Sequence, residues 1–493
     1  MITTMELTDG YKLDHRRQYP EGTEFVYSNW TPRSNSYFPE AEDGCVVFGI
    51  QYFIKEYLIK RFNEDFFNLD EDVAVKTFER RINTFLGDNE VGTEHIRALH
   101  QLGYLPIRIK ALPEGDLCPI GVPMLTIINT DPRFFWLTNF LETMMSMCLW
   151  LPMTSATTAR IYRKELERHA RKTMFPKDIE LGFNCHDFSM RGMAGLEAAI
   201  TSGMGHLTSF IGSETIPAVA ACEEYYNADA EKELISATVP ATEHSVMCAG
   251  GMEDEFGTFK RLLTELYPKG FVSIVSDTWD FWQVITDFIP RLKNDILARD
   301  GRFVVRPDSG TPEDIICGTG NADDPEHIRK GAYECLWDIF GGTYTENGYK
   351  VLDTHIGMIY GDSITIERQR EIYRRLEAKG FAATNLVLGI GSYTYQYRTR
   401  DGLGFAMKAT WCRVNGEYRP IFKSPKTDSG MKKSLKGLLS VVKENGKYKV
   451  YDNVSPEEEY QSCLEIVFED GKIVRDWSLN EIRNNVTKTL HNE

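Results

Sequence analysis

The sequence lacks the features that mark membrane, secreted and zinc-binding proteins. No apolar run approaches the about 20 residues needed to cross a bilayer. The most hydrophobic stretch, Met144–Met153, predicts a buried helix or strand instead. The start of the chain has no basic segment followed by an apolar one, so we expect no secretory signal. The ten cysteines include no C-x-x-C pair, which argues against a zinc site and favours a reduced, cytoplasmic protein.

Positive charge is also scarce. The 493 residues carry 56 Lys+Arg against 72 Asp+Glu, a formal net charge of −16. We therefore expect neither a nucleic acid nor a membrane as partner, because both bind basic surfaces. The composition, 42% hydrophobic and 26% charged, is typical of a folded globular protein.

The hydrophobic pattern changes near residues 150 and 400. Between them, in 151–399, short apolar strands alternate with amphipathic helices, which predicts a catalytic α/β barrel domain. The flanking parts, 1–150 and 400–493, contain hairpin signals such as Asn445-Gly446 and Asp470-Gly471. We predict that these two parts join into one mixed, β-rich domain.

Polar clusters follow the predicted strands of the barrel at the point where each strand ends. In sequence order they read CHDF, GSET, ATEH, SDTWD, RPDSG, YGDS and GIGS. Catalytic groups of parallel α/β barrels collect beyond the carboxyl ends of the strands. We therefore expect these clusters to form one site.

Two of the clusters suit phosphate. Arg306 and Asp308 lie in a Ser-Gly turn, where guanidinium and backbone N–H groups can bind pyrophosphate oxygens, although a salt-bridged turn is an equal alternative. Gly391 lets a backbone approach a phosphate closely. Asp362 is placed to hold ribose hydroxyls, and the alternative is that Asp362 or Ser363 caps the following helix.

A histidine and an aromatic ring are further candidates. His244 can act as nucleophile or acid–base, with Asp277 fixing its tautomer, but spacing alone does not distinguish it from His186 or His206. Phe188, close to a cation, suits a flat heteroaromatic ring, with a core phenylalanine as the alternative.

Taken in order, these motifs resemble the nicotinamide phosphoribosyltransferase family over nearly the whole chain. The segments that carry the resemblance are DGYKLDHRRQYP, CHDFSMRG, GSET, VPATEHS, VSDTWD, VVRPDSG, YGDS, GIGS and the tail KGLLSV, FEDGKIV and SLNEIR. It implies the irregular α/β barrel of type II phosphoribosyltransferases plus a β-rich domain, and a homodimer with shared active sites. It implies that nicotinamide and phosphoribosyl pyrophosphate give nicotinamide mononucleotide and pyrophosphate. Magnesium is then required, and ATP is hydrolysed through a phosphohistidine.

The resemblance assigns catalytic roles to four residues. His244 matches the phosphorylated histidine, Glu243 lies beside it, and Asp277 matches the aspartate that supports the imidazole. Asp308 matches the carboxylate on the magnesium side of RPDSG.

The resemblance also implies a pyridine pocket. Phe188 matches the ring that stacks on the pyridine, Tyr11 the tyrosine that closes the sandwich from the other subunit, and Arg191 an arginine at the same pocket. Glu214 stands where the family has an aspartate facing the carboxamide. The charge is kept, so we expect preference for the amide over the acid.

The other matches surround the ribose and the phosphates. They are Arg306, Gly361, Asp362, Gly391, Arg400 and Lys408, with Arg33 contributed across the interface. The sequence Gly391-Ser392-Tyr393 replaces a run of glycines in the family, and Ser392 can donate its hydroxyl to a phosphate.

Three alternatives remain open at this point. A nicotinate phosphoribosyltransferase has the same fold, but its pocket should offer a neutral or basic group where Glu214 stands. A non-catalytic binding protein on this scaffold would be favoured by loss of His244, Arg306 or Asp308, and all three are present. A glycosidase-type barrel needs two carboxylates about 5–10 Å apart.

Overall fold

The computed structural model describes residues 2–174, 181–361, 364–382, 386–423 and 435–491. The chain divides into two compact units. The first comprises Met1–Thr157, Ala220–Asp229 and Arg398–Glu493, and the second comprises Thr158–Val219 and Ala230–Tyr397. Within the described ranges, no helix is both long and apolar enough to span a membrane.

A seven-stranded antiparallel sheet forms the centre of the first unit. Across the sheet the strands run Glu417–Pro420, Ala406–Val414, Thr23–Thr31, Leu125–Asn129, Ile107–Ala111, Glu465–Glu469 and Lys472–Ile473. Strands from both ends of the chain therefore share one sheet. Trp30 on a central strand is fully buried and stacks on Phe405, with ring centroids 5.1 Å apart.

The first unit also contains helices and a short two-stranded sheet near its N-terminal part. The helical segments are Ile50–Phe53, Ile54–Arg61, Asn63–Phe67, Glu71–Leu86, Glu94–Leu102, Leu137–Phe140, Pro456–Tyr460, Leu479–Leu490 and, up to Thr157, Glu142–Thr173. The two-stranded sheet pairs Cys45–Val46 with Leu117–Cys118. The apolar run Met144–Met153, for which the sequence predicted either a helix or a strand, lies within a helix.

Both hairpins predicted in the C-terminal part are confirmed. Leu438–Glu444 pairs with Lys447–Val454 around Asn445 and Gly446, whose φ angles are 49° and 78°. Glu465–Glu469 pairs with Lys472–Ile473 through an Asp-Gly turn of the same left-handed backbone conformation. Two consecutive positive φ angles are what a tight hairpin turn requires.

A six-stranded parallel sheet forms the centre of the second unit. Its order is Gly212–Ser213, Cys185–Asp187, Leu386–Ile390, Ile356–Tyr360, Phe303–Arg306 and Val272–Val275. Every residue of Ile356–Tyr360 and of Val272–Val275 is buried, as expected for parallel strands covered on both faces.

The segment 237–242 closes this sheet into a barrel. Ala237 bridges in parallel to Gly212 at one edge, and Ala241 bridges in parallel to Ser273 at the other. The N–H of Thr242 donates to the carbonyl of Ser273 at 3.0 Å, which holds the second seam. The predicted irregular α/β barrel and β-rich domain are thereby confirmed.

Helices connect the barrel strands. They are Leu196–Leu207, His244–Gly250, Glu255–Arg261, Leu262–Leu266, Phe281–Gln283, Val284–Phe288, Ile289–Leu297, Pro312–Cys317, Glu326–Lys330, Ala332–Phe340, Ile366–Ala378 and Ser392–Gln396, with a hairpin of Gly342–Tyr344 and Lys350–Leu352. The helix cap considered for Asp362 or Ser363 lies outside the described residues. Thr365 caps the helix Ile366–Ala378, because its hydroxyl accepts from the N–H of Arg368 at 3.3 Å.

Candidate active site at the carboxyl edge of the barrel

The parallel strands place their carboxyl ends along one edge of the second unit. The predicted site residues that follow these ends are Phe188, Arg191, Glu214, Glu243, His244, Asp277, Asp308, Gly361, Gly391 and Ser392, with Arg306 as the last residue of its strand. Hydrogen bonds and close packing between neighbouring turns connect most of them. The sequence prediction for Asp362 lies outside the described residues.

His244 lies between two carboxylates and a hydroxyl. Its Nε2 is 3.8 Å from Oδ1 of Asp277 and 4.0 Å from Oδ2 of Asp308. Its Nδ1 is 3.2 Å from the hydroxyl of Thr278. The two carboxylates favour the proton on Nε2, which leaves the lone pair on Nδ1. Because 49% of the His244 side chain is exposed, a ligand can reach the ring.

Asp277 and Asp308 are joined through the backbone. The N–H of Asp308 donates to Oδ2 of Asp277 at 2.8 Å. Oδ1 of Asp277 is buried and has no hydrogen-bond partner in the described part of the chain. A buried carboxylate oxygen without a donor is costly unless a ligand or cation engages it.

These oxygens suit a magnesium ion that arrives with its substrate. Among the described residues, no group of three or more His, Cys, Asp or Glu side chains is arranged to hold a metal. Mg²⁺ is commonly held by only one or two carboxylates, with substrate phosphates completing its octahedron. Asp308, with a partly exposed carboxylate, and Asp277 meet that requirement.

Arg306 is positioned for an anion. Its Nη2 donates to the carbonyl of Thr242 at 2.6 Å, which anchors the guanidinium on the barrel-closing segment. Its Nε is buried and lacks a hydrogen-bond partner among the described residues. A guanidinium presents a fork of donors that matches phosphate and carboxylate oxygens. The unsatisfied N–H therefore fits a phosphate.

Glu214 carries a carboxylate that is half-buried at this edge. Its Oε1 lies 2.9 Å from Nε2 of His186 and accepts a hydrogen bond from the hydroxyl of Thr238. The hydrogen bond with His186 lowers the pKa of Glu214, burial opposes it, and Thr238 and the charge of Arg306 lower it further. Glu214 is consequently a carboxylate at neutral pH.

Phe188 packs against a glycine-lined surface. A Cβ on Gly389 would lie 2.8 Å from Cδ2 of Phe188 and 2.9 Å from the Cα of Gly361. A Cβ on Gly361 would lie within contact of Oδ1 of Asp308, at 2.4 Å. Glycine at 389 and 361 therefore lets the aromatic ring and the Asp308 carboxylate approach the strand ends.

The GIGS turn lies beside the turn that carries Arg191. The Ser392 hydroxyl occupies the space next to Gly192, where a Cβ would be 2.0 Å away. At Gly391, by contrast, a Cβ would meet no described atom within 4 Å. Tyr393 is 62% exposed and packs on the ring of Tyr397, with centroids 4.9 Å apart.

Asp187 is a structural residue that the sequence reasoning missed. It is fully buried, and its carboxylate accepts from the N–H of Ser189 at 2.9 Å and from the hydroxyls of Ser213 and Thr215 at 3.1 and 2.7 Å. Asp187 thus joins the turn that carries Phe188 to the turn that carries Glu214. Its position beside His186 in CHDF gave no sign of this role.

Four predicted residues lie in the first unit. Tyr11 is 63% exposed, with its ring centroid 5.1 Å from that of His15. Arg33 donates from Nε to the carbonyl of Gly404 at 2.9 Å. Arg400 donates to Asp401 at 3.3 Å and is half exposed. Lys408 lies on the strand Ala406–Val414.

Lys408 belongs to a cationic cluster. Partial desolvation lowers the pKa of its ammonium group, and the charges of Arg33, Lys423 and Lys12 lower it further, while Glu142 raises it. These neighbouring cations make the surroundings of Lys408 locally positive in a chain of net negative charge.

Two family models match the chain. The one described as the nicotinate phosphoribosyltransferase (NAPRTase) family matches residues 183–471, and the one described as nicotinamide phosphoribosyltransferase, N-terminal domain, matches residues 3–109. The first match spans all the predicted site residues of the barrel. The second spans Tyr11 and Arg33.

Two relatives of known name are similar to this chain over most of its length. The nicotinamide phosphoribosyltransferase of Acinetobacter baylyi is 51% identical over 99% of this chain and 98% of its own length. That of Mycoplasma pneumoniae is 35% identical over 85% of this chain and 92% of its own.

The fold is shared with two more distant crystal structures. The nicotinate-nucleotide pyrophosphorylase of Pyrococcus furiosus has a TM-score of 0.57 at 16% identity and covers 99% of this chain and 95% of its own. Human nicotinic acid phosphoribosyltransferase has a TM-score of 0.55 at 16% identity, covering 98% and 94%. At that identity the structures establish the fold, while full-length identity of 51% establishes the family. The chain belongs to the nicotinamide phosphoribosyltransferase family.

Proposed function

We propose that this protein transfers the phosphoribosyl group of phosphoribosyl pyrophosphate to nicotinamide in NAD salvage. The products are nicotinamide mononucleotide and pyrophosphate. The observation that carries the proposal is the arrangement at the carboxyl edge of the barrel. There Phe188 and the carboxylate of Glu214 suit a pyridine amide, and Arg306 and Asp308 suit a magnesium-bound pyrophosphate.

The transfer step is a displacement at the ribose C1. The pyridine nitrogen forms the new bond to C1 as the bond to pyrophosphate breaks, and the pyrophosphate leaves with the bonding electrons. The pyridine nitrogen is a weak nucleophile, so orientation by the Phe188 ring and by Glu214 contributes much of the rate. Arg306 stabilises the charge that develops on the leaving pyrophosphate. Glu214 accepts from the carboxamide NH₂, and Arg191 lies at the same pocket.

Asp308, with Asp277 beside it, would hold the magnesium ion. When bound, Mg²⁺ neutralises charge on the pyrophosphate and makes it a better leaving group. Gly361 and Asp362 are assigned to the ribose, and Gly391 and Ser392 to the 5′-phosphate. The open space at Gly391, where a Cβ meets no described atom within 4 Å, supports that assignment.

ATP is proposed as a co-substrate that phosphorylates His244. Nδ1 forms the N–P bond to the γ-phosphorus, and the bond to the leaving ADP breaks. The carboxylates of Asp277 and Asp308 near Nε2 stabilise the positive charge that the imidazole gains. Glu243 lies beside the histidine, but its carboxylate accepts from the hydroxyl of Ser245, so we propose a supporting role for it.

We further propose a cytoplasmic homodimer with shared active sites. Tyr11 and Arg33 of one subunit would complete the pyridine and phosphate pockets of the other, and the resemblance assigns Arg400 and Lys408 to the phosphates. The exposure of the Tyr11 ring supports a second surface there, and the cations around Lys408 support a bound phosphate. The ten scattered cysteines, with no C-x-x-C pair among them, suit a reducing compartment.

The second candidate substrate is nicotinate. A carboxylate at Glu214 would repel the carboxylate of nicotinate, whereas the guanidinium of Arg306 near it would attract it. Glu214 is held in the ionised form by its hydrogen bonds, so we expect the amide to be preferred.

The test is an assay of the purified protein with phosphoribosyl pyrophosphate and magnesium. Nicotinamide is added with and without ATP, and mononucleotide, pyrophosphate and ADP are measured. We expect pyrophosphate and nicotinamide mononucleotide in equal amounts, and more of both with ATP. Pyrophosphate release without mononucleotide would contradict the proposed transfer.

A further inference from the structure

Two side chains fix the carboxylate that faces the pyridine pocket. His186 and Thr238 both contact the same oxygen, Oε1 of Glu214. Nε2 of His186 lies 2.9 Å from it, and the hydroxyl of Thr238 donates a hydrogen bond to it. Because a carboxylate only accepts hydrogen bonds, Nε2 of His186 carries the proton and donates. Among the described residues Oε2 receives no such donor, so it is the oxygen left to accept from a substrate amide.

His186 is itself held in place. Its ring is almost fully buried and lies 4.7 Å from the ring of Phe188, centroid to centroid. On its other side, a Cβ on Gly212 would come within 2.6 Å of Nδ1, so only glycine leaves room for the imidazole there. The imidazole therefore cannot swing away from Glu214 without displacing its neighbours.

A second, buried histidine secures that glycine. Nε2 of His206 lies 2.9 Å from the carbonyl oxygen of Gly212, and Nδ1 lies 2.6 Å from the hydroxyl of Tyr395. A carbonyl accepts only, so Nε2 of His206 donates and Nδ1 accepts from the tyrosine. A continuous set of contacts thus runs from Tyr395 and His206, on two connecting helices, through Gly212 and His186 to the Glu214 carboxylate.

Thr238 approaches Glu214 from a different element. It lies in the segment 237–242 that closes the barrel, one residue after the bridge between Ala237 and Gly212. Oε1 is thus held from one side by a strand and from the other by the closing segment. The additional methylene of glutamate, relative to aspartate, gives the side chain one more rotatable bond, and the two donors remove that freedom.

We propose that His186 and Thr238 are positioning residues that determine the choice between a pyridine carboxamide and a pyridine carboxylate, by holding Glu214 with Oε2 directed at the substrate. This inference rests on the proposed function, because it assumes that Glu214 faces the substrate's carboxyl-derived group. With both donors present, the carboxylate accepts from an amide and repels an acid. Without them, Glu214 rotates freely and can pair with Arg306, so the repulsion of the acid and the hydrogen bond to the amide both weaken.

The test compares kcat/KM for nicotinamide and for nicotinate at saturating phosphoribosyl pyrophosphate, magnesium and ATP. The measured quantity is the ratio of the two values. The variants are His186→Leu and Thr238→Val, which remove the donors, and the matched controls His186→Gln and Thr238→Ser, which keep a donor. Glu214→Gln serves as the reference for complete loss of the charge.

We expect His186→Leu to lower the ratio about tenfold, since a hydrogen bond to a charged group is worth about 1.5 kcal/mol. The loss should appear in the KM for nicotinamide, with the KM for phosphoribosyl pyrophosphate unchanged. Thr238→Val should lower the ratio severalfold, and His186→Gln and Thr238→Ser should restore it to near the wild-type value. A change in the KM for nicotinamide without a change in the KM for phosphoribosyl pyrophosphate indicates a positioning role, because general damage to the fold would alter both.

Two outcomes would distinguish failure of the positioning role from failure of the proposed role of Glu214. If Glu214→Gln lowers the ratio but His186→Leu and Thr238→Val leave it at the wild-type value, the positioning role is wrong and the proposed function stands. If Glu214→Gln leaves the ratio unchanged, the assignment of Glu214 to the carboxamide is itself wrong. Thr238 is exposed, so Thr238→Val tests the inference even if the buried His186→Leu fails to fold.

Discussion

Gly389 is the position where a single methyl group should damage the pyridine pocket most specifically. In Gly389→Ala the added Cβ would lie 2.8 Å from the Phe188 ring and 2.9 Å from both the Cα of Gly361 and the carbonyl oxygen of Tyr360. Two of these three atoms belong to the backbone of a neighbouring buried strand and its end, and they cannot rotate away. The Phe188 ring must therefore move.

The cost follows from the contacts. Overpacking of this kind costs about 2 kcal/mol, which corresponds to roughly 6 °C in the midpoint of thermal unfolding for a unit of this size. A displaced Phe188 also loses the stacking on the pyridine that we propose, worth about 1 kcal/mol, so the KM for nicotinamide should rise about fivefold. The KM for phosphoribosyl pyrophosphate should change less.

Gly391→Ala is the matched control, because Gly391 lies two residues further along the chain, just beyond the strand Leu386–Ile390 that contains Gly389. Its backbone is extended, with φ −88° and ψ 175°, and an added Cβ would meet no described atom within 4 Å. The unfolding midpoint should therefore stay within about 2 °C of wild type, while the KM for phosphoribosyl pyrophosphate rises. The assays are differential scanning fluorimetry and steady-state kinetics. An unfolding midpoint and nicotinamide KM of wild-type value in Gly389→Ala would refute the packing argument.

Three further predictions concern His244, Lys408 and the buried Glu255. His244→Ala should abolish ATP hydrolysis while some phosphoribosyl transfer remains, measured as ADP and nicotinamide mononucleotide; wild-type ADP release would contradict the role of His244. Lys408→Ala should raise the KM for phosphoribosyl pyrophosphate about tenfold, because a cation near a polyanion is lost, and an unchanged KM would remove Lys408 from the phosphate surroundings. Burial raises the pKa of Glu255 to about 7, and the charge of Asp280 contributes to the same shift. The contribution of Glu255 to the free energy of unfolding is therefore fully present below its unfolded pKa and is lost as the pH rises through 7. Glu255→Gln should therefore raise the unfolding midpoint more at pH 8 than at pH 5, and equal shifts at both would contradict the burial argument.

Local signals in the sequence predicted much of the fold. The Asn-Gly and Asp-Gly turns predicted two hairpins because few residues other than glycine, asparagine and aspartate adopt the required positive φ angles. The alternation of apolar strands and helices predicted the parallel barrel, since buried parallel strands need apolar residues on both faces. The order of polar clusters then predicted which residues meet at the carboxyl edge.

The closure of the barrel could not be predicted in the same way. The segment 237–242 reads ATVPAT, and its Pro240 argues against a strand, yet the segment bridges both edges of the sheet. Its bridges to Gly212 and Ser273 depend on partners far along the chain, which local patterns do not report. The anchoring of Arg306 on Thr242 follows from that closure and was equally hidden.

The environment of Glu214 was also outside the reach of the sequence. The motif GSET predicted the carboxylate, and CHDF predicted the aromatic ring, but the pairing of Glu214 with His186 depends on the register between two parallel strands. His186 was one histidine among three that spacing could not separate. Asp187 was missed because a buried acid that accepts three hydrogen bonds has the same local sequence as an exposed one.

The central claim is amide-selective phosphoribosyl transfer, and one competition experiment tests it most directly. Equimolar nicotinamide and nicotinate are offered together to the purified protein with limiting phosphoribosyl pyrophosphate, magnesium and ATP. The two mononucleotides, which differ by about one mass unit, are separated and quantified by chromatography and mass spectrometry. We predict nicotinamide mononucleotide as nearly the whole product; a product consisting mainly of nicotinate mononucleotide would contradict the account.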